Sequence, residues 1–190
     1  MNTLFDIRRL LESHRKWLEM DPSGAQLDFS GGSLKNLDLT GAVLAESILN
    51  EADLSGACLA GADLSGAELN GAHLVDADLS DASLGKASLT GADLRNARMK
   101  GVKAIRCDFS RADLRKADMS LTTLDGSLFV SSDLRGASVD GSSLKKCLFD
   151  GSALHGLSLN GAVLEDSRGE NIDYSKSRDG SDTGDISRVK

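Results

Sequence analysis

Residues 52–71 read Ala-Asp-Leu-Ser-Gly-Ala-Cys-Leu-Ala-Gly-Ala-Asp-Leu-Ser-Gly-Ala-Glu-Leu-Asn-Gly, a five-residue unit with Ala first and Leu third, written four times. Outward from this stretch the third slot holds Leu, Phe, Met or Val at every fifth residue from Phe29 to Leu164, with Ala104 the one departure in twenty-eight positions. The residue two places earlier is small at most steps, from Ala42 and Ser47 through Ala97. A helix repeats its apolar side chains every ~3.6 residues and a strand every ~2, so a sustained period of five fits neither and requires a backbone that bends once per unit. Two side chains in five then point inward, and each unit forms one side of a coil.

A longer period gives the number of sides. Phe29, Phe109, Phe129 and Phe149 all occupy the central slot and differ by multiples of twenty. A four-sided coil of twenty residues accounts for this. With coils stacked at the strand spacing of ~4.8 Å, Phe109, Phe129 and Phe149 become one core column of rings. The repeats run from Leu27 to Tyr174, which predicts about seven coils and a rod roughly 35 Å long.

The runs Ala52-Asp53-Leu54-Ser55-Gly56, Ala62-Asp63-Leu64-Ser65-Gly66, Ala77-Asp78-Leu79-Ser80-Asp81 and Ala92-Asp93-Leu94-Arg95-Asn96 resemble the pentapeptide-repeat proteins, whose motif is Ala-(Asp/Asn)-Leu-x-x. The resemblance implies an all-β solenoid, a right-handed quadrilateral β-helix with an N-terminal capping α-helix. The segment from Leu10 to Leu18, followed at once by repeats, is similar to the opening of bacterial and phage members.

Three regions are expected. Residues 1–24 form an amphipathic cap helix and turn, with Leu4, Ile7, Leu11 and Leu18 on one side and Asp21-Pro22-Ser23-Gly24 ending it. The helix covers the first coil, whose open backbone edge needs a lid. Residues 25–175 are the β-helix. Residues 176–190 are polar and predicted to be disordered, because they bury too little apolar area to offset ordering entropy. Ile172 and Tyr174 regain the inward slots after a lapse at Arg168 and Gly169, suggesting a last partial coil through which two rods can pair as a homodimer. Around Ala104 the enlarged Val102 and the following Ile105 predict a locally irregular, bulged turn.

Composition excludes more than it assigns. No apolar run approaches the ~20 residues of a membrane span, and the acids within the N-terminal apolar stretch argue against a secretory signal. Three cysteines do not make a disulfide framework: Cys107 and Cys147 share an inward column two coils apart, and Cys58 takes an outward slot. A cytoplasmic location, in a bacterial or phage-infected cell, is expected. His14, His73 and His155 are too dispersed to share a metal or proton, phosphate-loop glycine patterns are missing, and the recurrent Asp before each Leu belongs to the repeat. The expectation is therefore no catalytic residue, no metal, no cofactor and no small-molecule substrate.

Function is left to the surface. From Asn36 through Asp93 there are ten acids and one base, a net of minus nine; from Leu94 through Lys116 eight bases face two acids, a net of plus six; beyond that the sign is acidic again. Asp53, Asp63, Glu68, Asp76, Asp78 and Asp81 form the candidate acidic partner-binding face, and Arg95, Arg98, Lys100, Lys103, Arg106 and Arg115 the candidate basic patch. Arg95, Arg115 and Arg135 fall in one outward column, with Asp93, Asp113 and Asp133 in a parallel one, so these two columns can neutralise each other. Arg98, Lys100, Lys103 and Arg106 have no acids near them in sequence and read as the least compensated positive patch, suited to an acidic partner.

Two function classes stay open. One is a rigid scaffold whose charged faces bind and modulate a partner protein. The other, which the family resemblance implies, is a mimic of duplex DNA that occupies the DNA site of gyrase or another DNA-handling enzyme, inhibiting or protecting it. The minus nine block favours mimicry; the basic girdle, and an unbroken register that permits no long loop between Leu27 and Leu164, oppose it. Direct DNA binding is disfavoured by the net charge of minus seven.

Overall fold

In a computed structural model, which describes residues 4–171, one helix precedes a β-helix built from single-residue bridges. Helix α1 spans Leu4–Leu18. It ends before Asp21: Met20 turns left-handed (φ 60°), its N–H reaches Trp17 O and the Asp21 N–H reaches Lys16 O, which satisfies two carbonyls of the last turn. Asp21-Pro22-Ser23-Gly24 then forms a tight turn closed by Gly24 N–H to Asp21 O at 2.9 Å. Gly24 is required, since a Cβ there would lie 2.2 Å from the Trp17 nitrogen.

Every bridge among the described residues joins residues twenty apart and is parallel, from Asp28↔Ile48 to Leu148↔Arg168. The bridge residues fall in four columns, which define faces I to IV. Face I carries Asp28 and every twentieth residue to Arg168; faces II, III and IV start at Ser33, Asp38 and Val43. Successive units occupy successive faces.

One unit shows how the backbone is satisfied. The Asp53 N–H donates to Gly32 O in one neighbouring coil, while those of Leu54 and Gly56 donate to His73 O and Val75 O in the other. Ala57 N–H closes the turn onto Leu54 O at 3.0 Å. The remaining donor, Ser55 N–H, is taken by the Asp53 carboxylate at 3.0 Å. This is the physical reason for Asp before Leu: its side chain folds back onto the N–H two residues ahead, as Asp63, Asp78 and Asp108 also do. The turn needs positive φ at the second residue after Leu, where Gly56 sits at 65°.

The inward Ala and Leu slots are buried along the rod. Phe109, Phe129 and Phe149 stack, with ring centroids 5.2 and 5.0 Å apart and planes within 8° and 6°. Near them the small inward residues change from Ala to Ser, Thr and Cys. Their hydroxyls tie turn to turn: Ser127 Oγ accepts from Cys107 N–H at 3.0 Å and donates to Ala104 O at 2.6 Å. That bridge corrects the expected bulge at Ala104. Lys103 pairs with Ser83 and Thr123 in unbroken register, and the stretch of the Cys107 N–H to Ala104 O bond to 3.4 Å is spanned by the Ser127 hydroxyl.

Helix α1 meets the first coils through Ile7 and Leu11, and through His14. His14 has no exposed surface; its Nδ1 accepts from Leu27 N–H at 3.0 Å and its Nε2 faces Ala45 O at 2.9 Å. An Nδ1 that accepts leaves the proton on Nε2, so the ring is neutral and donates to Ala45. Burial holds its pKa below the ordinary 6.5, against the opposing pull of the Ala45 carbonyl and Glu46. The expected tail, the partial coil at Ile172 and Tyr174 and the C-terminal pairing surface lie outside the described residues.

Candidate functional site

The twenty-residue coil decides which charges meet. Successive units turn a corner, so the six acids expected as one face are spread around the rod. Glu68 is on face I, Asp53 on face II, Asp78 on face III and Asp63 on face IV, with Asp76 and Asp81 at left-handed corners. This corrects the expectation of a single acidic face; the structure presents an acidic belt. Several of these carboxylates are already engaged. Ser55 holds the Asp53 carboxyl below the usual range. Asp78, although burial opposes ionisation, is held at about 2 by hydrogen bonds from Ser80 and Arg98.

On face II the two charge columns interlock. Arg95 contacts Asp93 at 2.6 Å and Asp113 at 3.7 Å; Arg115 contacts Asp113 at 2.6 Å and Asp133 at 3.7 Å; Arg135 contacts Asp133 at 2.5 Å. The geometry follows from the unit: the bridge-slot Asp accepts the N–H of the residue two ahead, and when that residue is Arg the guanidinium folds onto the same carboxylate. Asp93 is held below the usual range by the Arg95 hydrogen bond; Asp113 is partly desolvated, and Arg115 outweighs that. Six charges thus form a ladder with no net sign. Such half-exposed pairs contribute little stability and chiefly fix side-chain positions.

The expected basic patch is accordingly divided. Arg95 and Arg115 belong to the ladder. Arg98, which has no acid near it in sequence, lies in the column of Asp78 and binds it at 2.8 Å, twenty residues away. That is a second correction: the nearest acid is vertical, one coil off. Lys100, Lys103 and Arg106 keep no ion-pair partner among the described residues, and Lys86, one coil from Arg106 at the same corner, joins them. Reading along the chain missed Lys86; reading down the columns finds it.

Burial pushes both inward thiols up, that of Cys147 to about 12. Cys58 faces outward beside the Thr40 hydroxyl at 3.1 Å. Among the described residues no group of three or more His, Cys, Asp or Glu is placed to hold a metal ion, and no helix is long and apolar enough to cross a membrane.

A coil of twenty, Ala-Asp-Leu units and Asp-locked turns define a class of repeat solenoid, and comparison with known families identifies it. The family model for pentapeptide repeats matches residues 25–61, 57–101, 92–129 and 127–166, and the chain belongs to that family. Its members form right-handed quadrilateral β-helices and are generally non-enzymatic structural or binding proteins. Solved structures similar to the chain include HetL from the cyanobacterium Nostoc sp. strain PCC 7120, a protein involved in heterocyst differentiation regulation (25% identity, 84% of this chain and 92% of that one, TM-score 0.40). The Nostoc pentapeptide repeat protein alr5209 is 34% identical over 56% of this chain and 79% of its own, with a TM-score of 0.48. Full-length QnrB1, a plasmid-mediated fluoroquinolone resistance protein, is 18% identical over 77% and 89%, with a TM-score of 0.42. The search of curated proteins gives no match.

Proposed function

We propose that this protein is a non-enzymatic, rigid scaffold that binds and modulates a partner protein through its charged faces, in the cytoplasm of a bacterial or phage-infected cell. The observation that carries this reading is the contrast in side-chain use. Inward slots and the bridge-slot aspartates are committed to the fold, whereas Lys86, Lys100, Lys103 and Arg106 form no ion pair among the described residues and Ile105 and Leu121 are exposed. A solenoid with a satisfied backbone keeps its faces fixed, so a partner meets a preorganised surface and little ordering cost. In the same proposal residues 1–24 cap the first of about seven coils, 25–175 form the scaffold, 176–190 are a polar tail, and two rods can pair through their C-terminal ends.

A second reading, mimicry of duplex DNA at gyrase or another DNA-handling enzyme, draws on the minus nine block between Asn36 and Asp93. The belt arrangement suits it, since duplex DNA is charged on all sides. The coil of Lys100, Lys103 and Arg106 opposes it, because a DNA groove is itself basic. A gyrase supercoiling and cleavage assay separates the two. Inhibition or drug protection that falls steeply with salt, and weakens when Asp53, Asp63, Asp76 and Asp78 are neutralised, supports mimicry. No effect on gyrase, together with affinity capture of a protein that is lost on reversing the charge of one face, supports the scaffold; capture unaffected by any face reversal refutes it.

A further inference from the structure

We infer that face IV, at the level of Lys103, is a docking site for an acidic protein segment carrying an aliphatic side chain; this rests on the scaffold reading. Lys103 stands at the middle of the face, with Lys100 at one corner and Arg106 and Lys86 at the other. Four cations here lack ion-pair partners among the described residues. The acids nearest to them in the column pattern are Asp81, Asp108, Asp118 and Asp125, none of which forms an ion pair with these cations among the described residues. The Asp125 carboxylate is already taken by Ser143 Oγ at 2.6 Å and Lys145 N–H at 3.0 Å.

Two aliphatic side chains flank the cations. Ile105 is 47% exposed and Leu121, one coil on at the opposite corner, is 59% exposed. Leu121 also sits at φ 58°, in the left-handed column that holds Gly101, Gly141 and Gly161, and Asp81 one coil before Gly101. Non-glycine residues hold this conformation at many corners of the rod, Lys86 and Arg106 among them, but at this corner an exposed aliphatic side chain stands where neighbouring coils have glycine. Leu121 therefore adds an exposed aliphatic surface beside the cations, while its Cδ2 also lies over the Gly141 corner of the next coil. Around Lys103 the outward residues are Ser83 and Gly85 on one side and Thr123, Asp125 and Gly126 on the other, so apart from Asp125 the cations and Ile105 have small neighbours.

The chemistry favours an acidic peptide over nucleic acid. The four cations of this site lie within about two coils, roughly 10 Å of the rod, and Lys146 is the next cation in the Lys86–Arg106 corner column, two coils on. A phosphate backbone tracked further would run onto the acids of the belt, such as Asp63 on the same face. Apolar groups beside the lysines have no counterpart on a phosphate chain, whereas a segment with carboxylates and a Leu or Ile uses both.

The test is a ¹⁵N NMR titration of the full chain with a soluble ten-residue peptide of Glu and Asp bearing two Leu residues, and with a short DNA duplex. The site predicts saturable shifts confined to residues 83–86, 100–106 and 120–125. Peptide affinity should fall about tenfold in Lys103→Glu and about threefold in Ile105→Ser, and stay unchanged in the face II variant Arg115→Gln. Leu121→Gly should weaken binding while leaving the spectrum folded. No shifts at millimolar peptide, shifts centred on face II, or equal loss in Lys103→Glu and Arg115→Gln would overturn it. Binding of the duplex at this face in preference to the peptide would overturn it in favour of a nucleic-acid site. Since other faces remain to bind a partner in the affinity capture, failure here leaves the scaffold reading separately testable.

Discussion

Face II and face IV carry cations on the same coil and treat them oppositely. On face II the bridge slot is Asp113 and the residue two ahead is Arg115, and the pair closes on itself at 2.6 Å. On face IV the corresponding slots hold Lys103 and Ile105, so the bridge residue is a cation and the residue beside it cannot neutralise it. The repeat accepts both because neither side chain reaches the core. Whether a cation two residues past a bridge slot is neutralised thus depends on the residue in that slot, and a count of acids and bases along the chain misses it.

The largest expected effect should not distinguish the faces at all. Phe129→Ala empties the middle of the stacked column beneath both, and should cost about 3–5 kcal/mol in reversible denaturation. A loss below ~1 kcal/mol would show that the rings do not share a packed core. Next comes the ladder itself. Asp113→Ala removes the acceptor of the Arg115 N–H, worth about 1 kcal/mol, and takes from Arg115 its closer carboxylate, leaving Arg95 on Asp93 and Arg115 with only Asp133 at 3.7 Å. Hydrogen exchange should quicken on face II and remain unchanged on face IV; equal quickening on both faces would refute a ladder local to one side.

Acid should open the two ends of the comparison at different pH. His14 has a lowered folded pKa, so its contribution is complete above 6.5 and is lost as pH falls below it, when protonation of Nδ1 opposes the Leu27 N–H. Trp17, stacked on His14, should report this by fluorescence. The carboxylates of Asp53, Asp93 and Asp113 are likewise lowered, so their contribution holds above 3.8 and fades as pH falls through their lowered folded values, while Asp78 is held at about 2. A single transition with both probes moving together would contradict two separate sets of groups. The smallest effect is a gain. Leu121→Gly relieves a left-handed cost of about 1–2 kcal/mol and adds backbone entropy of about 0.5–1 kcal/mol, for a net stabilisation near 0.5 kcal/mol. A destabilised variant would mean that Leu121 packs within the rod.

Much of this was legible in the sequence, because a solenoid writes its geometry as a period. The slots of Phe109, Phe129 and Phe149 carry the coil length, and Asp93 beside Arg95 lies close enough along the chain to suggest the ladder. What failed were readings that treated sequence neighbours as spatial neighbours. Asp78 and Arg98 are twenty apart and touch. Asp53 and Asp63 are ten apart and lie on different faces. His14 looked incidental because its partners are backbone groups of Leu27 and Ala45, which no side-chain pattern announces. Nor does composition reveal the left-handed conformation of Leu121, which follows from its place in the corner column with Asp81, Gly101 and Gly141.

The register of twenty underlies every contact argued above, and a cross-link tests it directly. Bridge residues one coil apart lie ~4.8 Å from each other, inside the ~4.4–6.8 Å that a disulfide spans. In a Cys58→Ser background, Ser88→Cys with Asp108→Cys should form a disulfide under mild oxidation, read by mass spectrometry, because these residues pair across coils. Ser88→Cys with Lys103→Cys, on adjacent faces, should not. Cross-linking of the second pair and not the first would contradict the four-sided coil and, with it, the separation of face II from face IV.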